Sequence, residues 1–263
     1  VTNVDRMQGA AEVVVTGIPS GVAGPGAAPA DRVPSSPGRP VGASAPRATD
    51  LVVPERAWFE RDVRALARDL LGMHVTRRTA EGAVTLRITE TEAYDGADDP
   101  GSHAFRGQTA RNATMFGEPG RTYVYRHLGL HHCVNVVCAP AGRAAAVLLR
   151  AGEIVEGADL AWARRTATGV CDSARQLARG PARLAVALGI DLRDLGADLL
   201  DPEGPLVLVV PSGSRRPRRD EIASGPRVGV SGEGGRTDLY PWRFWIAGEP
   251  TVSAYRAASP RRR

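Results

Sequence analysis

Residues 83–94 read AVTLRITETEAY, and in an extended strand Val84, Leu86, Ile88, Glu90 and Glu92 share one parity and point to one face. An apolar stripe that ends in two carboxylates is expected, if the strand is regular, to aim Glu92 inward to a cleft. Working outward, TYVY (122–125) and HHCVNVVC (131–138) read as short strands on either side of Gly129, after turn chemistry in GEPGR (117–121). AAAVLLR (144–150) reads as a buried strand ending in Arg150, and PLVLVV (205–210) and RFWIAG (243–248) as two closing strands.

Upstream, ERAWFERDVRALARDLLG (55–72) spaces Phe59, Val63, Leu66, Leu70 and Leu71 as a helix that ends at Gly72 and covers a sheet. Helical patterns recur at 156–166 and at 180–189, where Pro181 in the first turn costs no backbone bond. With no repeat, heptad or βαβ alternation, the chain is expected to be α+β, with short antiparallel strands and peripheral helices in one domain over 50–258. Residues 1–49 are rich in Ala, Gly, Pro, Ser and Val with almost no large apolar side chains, the composition of a disordered tail, and 259–263 form a basic C-terminal tail.

The 34 basic residues against 29 acidic give a net charge of +5, which suits a polyanionic partner without requiring one. All 34 are arginine, so a lysine Schiff base and a phosphate-loop lysine are both excluded. Three cysteines without a pairing pattern read as reduced thiols, and no basic segment leads into an apolar run, so a soluble cytoplasmic protein is expected. The segment PSGSRRPRRDEIASGP (211–226) reads as an arginine-rich loop, either lying along phosphates or simply solvated.

Tyr94, Tyr123 and Tyr125 fall in two short extended segments, and Tyr123 and Tyr125 share a face. Aromatic rings beside a carboxylate can hold an extruded base, although core packing is an equal use for any one tyrosine. His103 sits in the loop GADDPGSHAFRG (96–107), which favours a binding role. His127, His131, His132 and Cys133 are dense enough to raise zinc, but the segment alternates like a strand, lacks a glutamate between its histidines, and Cys133 and Cys138 are not a C-x-x-C pair.

Taken in order, ITETEAYDG (88–96), SHAFRGQTARNATMFGEPGRTYVYRH (102–127), HHCVNVV (131–137), VLLRAGEIVEG (147–157) and RGPARLAVALGID (179–191) resemble the alkyladenine (3-methyladenine) DNA glycosylases. The resemblance runs from about 55 to 255 and implies one compact domain with a curved, mostly antiparallel, open barrel-like sheet, flanking helices and a DNA-binding face. It implies no metal or organic cofactor and, as partner, double-stranded DNA that contains damaged purines; a nucleoid-associated protein is expected, with oligomeric state open and monomer the default. By position it makes Glu92 the base that activates water and Arg150 its partner, with Glu90 structural. Tyr94, His103 and Tyr125 would hold the flipped base, Asn135 would crowd the exocyclic amine of guanine, and Leu128 would enter the duplex where many relatives carry tyrosine. A non-catalytic lesion-binding relative, a zinc hydrolase built on the histidines and a protein-interaction surface are the alternatives. Because the tail lies outside the resemblance, deletion of residues 1–48 is expected to leave base excision intact, and a large fall in activity or folding would refute that.

Overall fold

The computed structural model describes residues 52–211 and 215–258; both expected tails lie outside the described residues. Eight strands form one sheet: β1 His74–Thr79, β2 Gly82–Tyr94, β3 Thr122–His127, β4 His131–Cys138, β5 Ala145–Glu156, β6 Leu206–Val209, β7 Ile222–Gly225 and β8 Arg243–Ile246. Its order is β3-β4-β5-β2-β1-β6, with β8 joining β2 to β7, and every registered pair is antiparallel. The sheet is not closed, and three helices, α1 Val63–Asp69, α2 Ala158–Thr166 and α3 Pro181–Leu188, flank it in an α+β domain, as expected.

The helix expected over 55–72 is instead two pieces, a 3₁₀ turn Arg56–Phe59 and then α1. Asp62 causes the break: with extended ψ of 126° its carboxylate accepts the amides of Arg64 and Ala65, which starts a new helix. Both pieces still bury the expected side chains, Phe59, Val63, Leu66, Leu70 and Leu71, all fully enclosed. The expected loop 211–226 also differs, since Ile222–Gly225 pairs with β8. Three of its four arginines are engaged within the protein, Arg215 and Arg218 with Glu221, and Arg216 with the carbonyl of Asp69.

Alternation divides the sheet into two faces with different uses. Val124, Val134, Val136, Cys138, Ala145, Val147, Leu149 and Ala93 enter the main core with the helices. The alternate residues of the same strands, Tyr123, Tyr125, Cys133, Asn135, Ala146, Leu148, Arg150, Glu92 and Tyr94, line a cavity on the opposite face.

Strand β2 is where the regular-strand expectation fails. Val84, Leu86 and Ile88 lie in the main core, but it is Ala93 that continues them there, and Thr91 whose hydroxyl donates to the α1 carbonyl of Ala67 (2.8 Å). Glu90 and Glu92 therefore stand on the other face from the stripe they were expected to end. The reason is a pair of adjoining bulges: Ile88 faces Gly152, Glu90 faces Ala151 and Thr91 faces Leu149, leaving Thr89 and Arg150 without opposite residues. One extra residue in a strand of period two exchanges its faces.

The backbones approach so closely at this irregularity that a Cβ on Gly152 would stand 2.4 Å from Leu86 Cδ2 and 2.5 Å from the Arg87 carbonyl oxygen. Gly152→Ala is expected to cost about 1–3 kcal/mol of stability through overpacking. A urea midpoint equal to that of the unaltered protein would contradict this register.

Candidate active site

A cavity of about 480 Å³ opens on the sheet face opposite the main core, floored by β2, β4 and β5 and walled by loops 100–103 and 228–231, with Pro181 at the start of α3 also on its lining. Six of the seven residues expected at a site, Glu92, Tyr94, His103, Tyr125, Asn135 and Arg150, line it together.

Glu92 is fully buried. Its Oε1 accepts the Val228 amide at 2.7 Å and lies 3.3 Å from Arg150 Nη1, while Oε2 accepts the Tyr94 hydroxyl at 2.7 Å. A carboxylate offers about four acceptor positions, so Oε2 retains capacity for one more donor. Burial, and then the charge of Glu92, push the Tyr94 phenol well above its ordinary pKa, which keeps it a donor.

Glu90, also fully buried, is more completely satisfied. It accepts from Arg150 Nε (2.9 Å), Arg243 Nε (2.6 Å), the Ser253 amide (2.7 Å) and the Ser253 hydroxyl (2.9 Å). Burial works against the charge on Arg150, but Glu92 and Glu90 outweigh it and hold its pKa above the ordinary value.

The aromatic wall comes from β3 and the loop before it. Tyr123 and Tyr125 stack at 5.6 Å between centroids and 29° between planes, and His103 meets Tyr125 edge-on at 4.6 Å. His103 Nδ1 lies 3.0 Å from the Tyr123 hydroxyl, and Asn112 fixes the loop by donating to the His103 carbonyl (2.9 Å). Burial, and then the nearby Arg111 and His127, push the His103 pKa below its ordinary value, which favours the neutral ring. Asn135 is held in one orientation by donating from Nδ2 to the Tyr123 carbonyl (2.9 Å).

Leu128 is not in the cavity. It occupies the tip of the β3–β4 hairpin with a positive φ of 50° and is 80% exposed, beside Gly129 and an equally unpacked Leu130. Of the histidine cluster, His127 and His131 pair across the hairpin while Cys133 is buried by the cavity. Among the described residues no three or more His, Cys, Asp or Glu side chains are grouped to hold a metal.

The sequence reading missed the loop after β7. Val228 contributes through its backbone amide, which any residue possesses, and only the turn-forming Gly225, Pro226 and Gly229 mark the place. It also missed Arg227, whose side chain is wholly enclosed and whose guanidinium lies 4.6 Å from the Tyr94 ring centroid.

An aromatic-walled cavity with a buried carboxylate on its floor has the parts needed to hold an extruded base, and comparison with known proteins shows the family. The model of the methylpurine-DNA glycosylase (MPG) family matches residues 57–250. A protein of Streptomyces avermitilis is 56% identical over 209 residues, covering 79% of this chain and 94% of that relative. One from Leifsonia xyli subsp. xyli is 55% identical over 208 residues (78% and 94%), and one from Mycobacterium tuberculosis 46% over 203 (75% and 92%). All three carry provisional names as 3-methyladenine DNA glycosylases. The chain belongs to the methylpurine-DNA glycosylase family and is by class a DNA N-glycosylase.

Glu90→Gln keeps the shape but leaves the buried Arg150 and Arg243 without their shared anion. A loss of roughly 3–5 kcal/mol is expected in urea melts, the usual cost of breaking a buried pair from one side. An unchanged midpoint would show that the arginines are compensated elsewhere.

Proposed function

We propose that the protein removes alkylated or deaminated purines, of the 3-methyladenine, 7-methylguanine, hypoxanthine and ethenoadenine class, from double-stranded DNA and leaves an intact abasic site. The observation that carries this reading is Glu92, fully buried at the cavity floor with an acceptor position left on Oε2. A water donating to Oε2 would attack the C1′ carbon of the sugar. The new C–O bond forms as the N-glycosidic bond breaks, and Glu92 takes the proton.

Leu128, exposed on a projecting hairpin, enters the stack as an apolar wedge and fills the gap left by the damaged nucleotide. The extruded base lies against Tyr125 and His103, with Tyr94 on the catalytic side, and each such contact contributes ~1–3 kcal/mol. Because Asn135 is fixed by the Tyr123 carbonyl, its amide cannot swing away from the exocyclic amine of guanine, which disfavours the normal base. A cationic base such as 7-methylguanine departs as a neutral molecule, whereas hypoxanthine must gain a proton as it leaves.

The enzyme works as a monomer on the nucleoid, without metal or organic cofactor. Among the described residues no helix is long and apolar enough to cross a membrane. With no lysine to form an imine, a lyase would have to use an N-terminal amine, and the product proposed is free base and abasic DNA, not a broken strand.

Single-turnover base release from duplexes carrying each lesion tests this. Glu92→Gln is expected to slow release by at least ~100-fold, the scale of a lost general base, and a chelator to change nothing. Borohydride added during turnover should trap no protein–DNA adduct. Binding without release by the unaltered protein would favour the lesion-binding alternative, and loss of release on chelation would favour a metal hydrolase.

A further inference from the structure

We infer that Arg227 is a positioning residue for base excision, one that holds three parts of the cavity in register through a single guanidinium. This rests on the glycosylase reading of the site. Nη1 donates to Asp99 Oδ2 (2.5 Å) and to the Ala93 carbonyl (2.9 Å); Nη2 donates to Asp99 Oδ1 (2.6 Å) and to the Gly234 carbonyl (2.8 Å). The guanidinium carbon Cζ also lies near the ring centroids of Tyr94 (4.6 Å), Trp242 (5.4 Å) and Tyr240 (5.6 Å).

Each of these partners leads directly to the cavity. Ala93 lies between Glu92 and Tyr94 at the end of β2. Asp99 accepts the amides of Gly101 (2.8 Å) and Asp95 (3.3 Å) and so shapes the loop that runs on to His103. Gly234 closes the turn after the 228–231 wall, and the residue next to Arg227 in the chain is Val228, whose amide is on Glu92 Oε1. The three segments are pressed together around the guanidinium: a Cβ on Gly101 would meet Arg227 Nη2 at 2.5 Å, and one on Gly234 would meet the Gly101 amide nitrogen at 2.4 Å.

A wholly buried ion pair is a poor device for stability alone, because hydrophobic residues of similar volume do as well or better. What an arginine supplies here, and an apolar side chain does not, is direction. Its planar fork fixes Asp99 bidentately, takes two carbonyls from different segments and sets the Tyr94 ring beside it. Lysine carries the same charge without the fork or the plane, so Arg227→Lys separates positioning from charge.

The experiment compares the unaltered protein, Arg227→Lys and Asp99→Asn. It measures single-turnover release of ethenoadenine, affinity for a duplex carrying an uncleavable abasic-site analogue, ethenoadenine fluorescence in the bound duplex as a report of the seated base, and thermal melting. For Arg227→Lys, release is expected to slow about 10- to 100-fold, as for a small misplacement of reacting groups, with unchanged affinity for the abasic analogue and a changed fluorescence of the seated base. A folded Arg227→Lys variant with normal release and normal fluorescence overturns the proposal, as does a rate that falls only in step with affinity and melting temperature. Should Arg227→Lys fail to fold, Asp99→Asn is judged by the same criteria, since it keeps the arginine and its fork but removes the carboxylate that the fork grips bidentately. An unaltered protein that releases no lesion refutes the glycosylase reading instead, and the fluorescence difference between it and the variant then decides the positioning role.

Discussion

The structure depends on burying two carboxylates, Glu90 and Glu92, two residues apart on one face of one strand. An unpaired buried carboxylate costs several kcal/mol, so the fold must bring cations to both. It does this unequally. Glu90 takes four short hydrogen bonds, including both Arg150 Nε and Arg243 Nε, and Arg150 reaches Glu92 only through Nη1 at 3.3 Å. Glu90 thereby fixes the arginine that faces Glu92 without Glu92 itself being saturated. The spent carboxylate positions the available one.

That division requires the irregular pairing of β2 with β5. A regular β2 would have sent both carboxylates into the hydrophobic core with Ile88, and Arg150 would have had an opposite residue like its neighbours. The paired bulges move the polar end of β2 to the cavity face while Thr91 and Ala93 seal the core beneath α1. Sheet alternation then separates aliphatic packing from chemistry across a single layer of backbone.

Much of this was legible in the sequence where local pattern and chemistry coincide. The β3–β4 hairpin around Gly129, the helix opened by Pro181 and the existence of a buried strand leading into Arg150 all announce themselves through turn residues and periodicity, and the six expected residues line one cavity. That strand does not end at Arg150, however, but runs on to Glu156, because Ala151–Glu156 continue to pair with β2. The failures have a common physical cause, which is that they depend on contacts distant in the chain. The bulges come from the fit of β2 to β5, about sixty residues away, so parity alone pointed the carboxylates to the wrong face. Strands β1 and β7 carry polar or small residues, HVTRRT and IASG, and owe their structure to neighbours instead of to alternation. The break at Asp62 could be read only by noticing a capping residue inside an otherwise continuous helical stripe.

The absence of lysine gives these buried charges a further property. Around the cavity three buried acids, Glu90, Glu92 and Asp99, face three buried guanidinium groups, Arg150, Arg243 and Arg227, and none of the cations can be neutralised at working pH. Formal charge therefore cancels before any base arrives. The compensation is nevertheless uneven: the ion pairs of Glu90 and Asp99 are at 2.5–2.9 Å, whereas that of Glu92 is at 3.3 Å. On the proposed mechanism positive charge develops on the sugar as the base departs, and a fixed array stabilises such charge without reorganising. The least compensated carboxylate in the array is the one beside the cavity, where the sugar would stand. An enzyme built with lysine at Arg150 would have a cation whose pKa follows burial, and the balance around Glu92 would shift with each change in hydration of the cavity. With arginine the electrostatic field at Glu92 is set by folding alone.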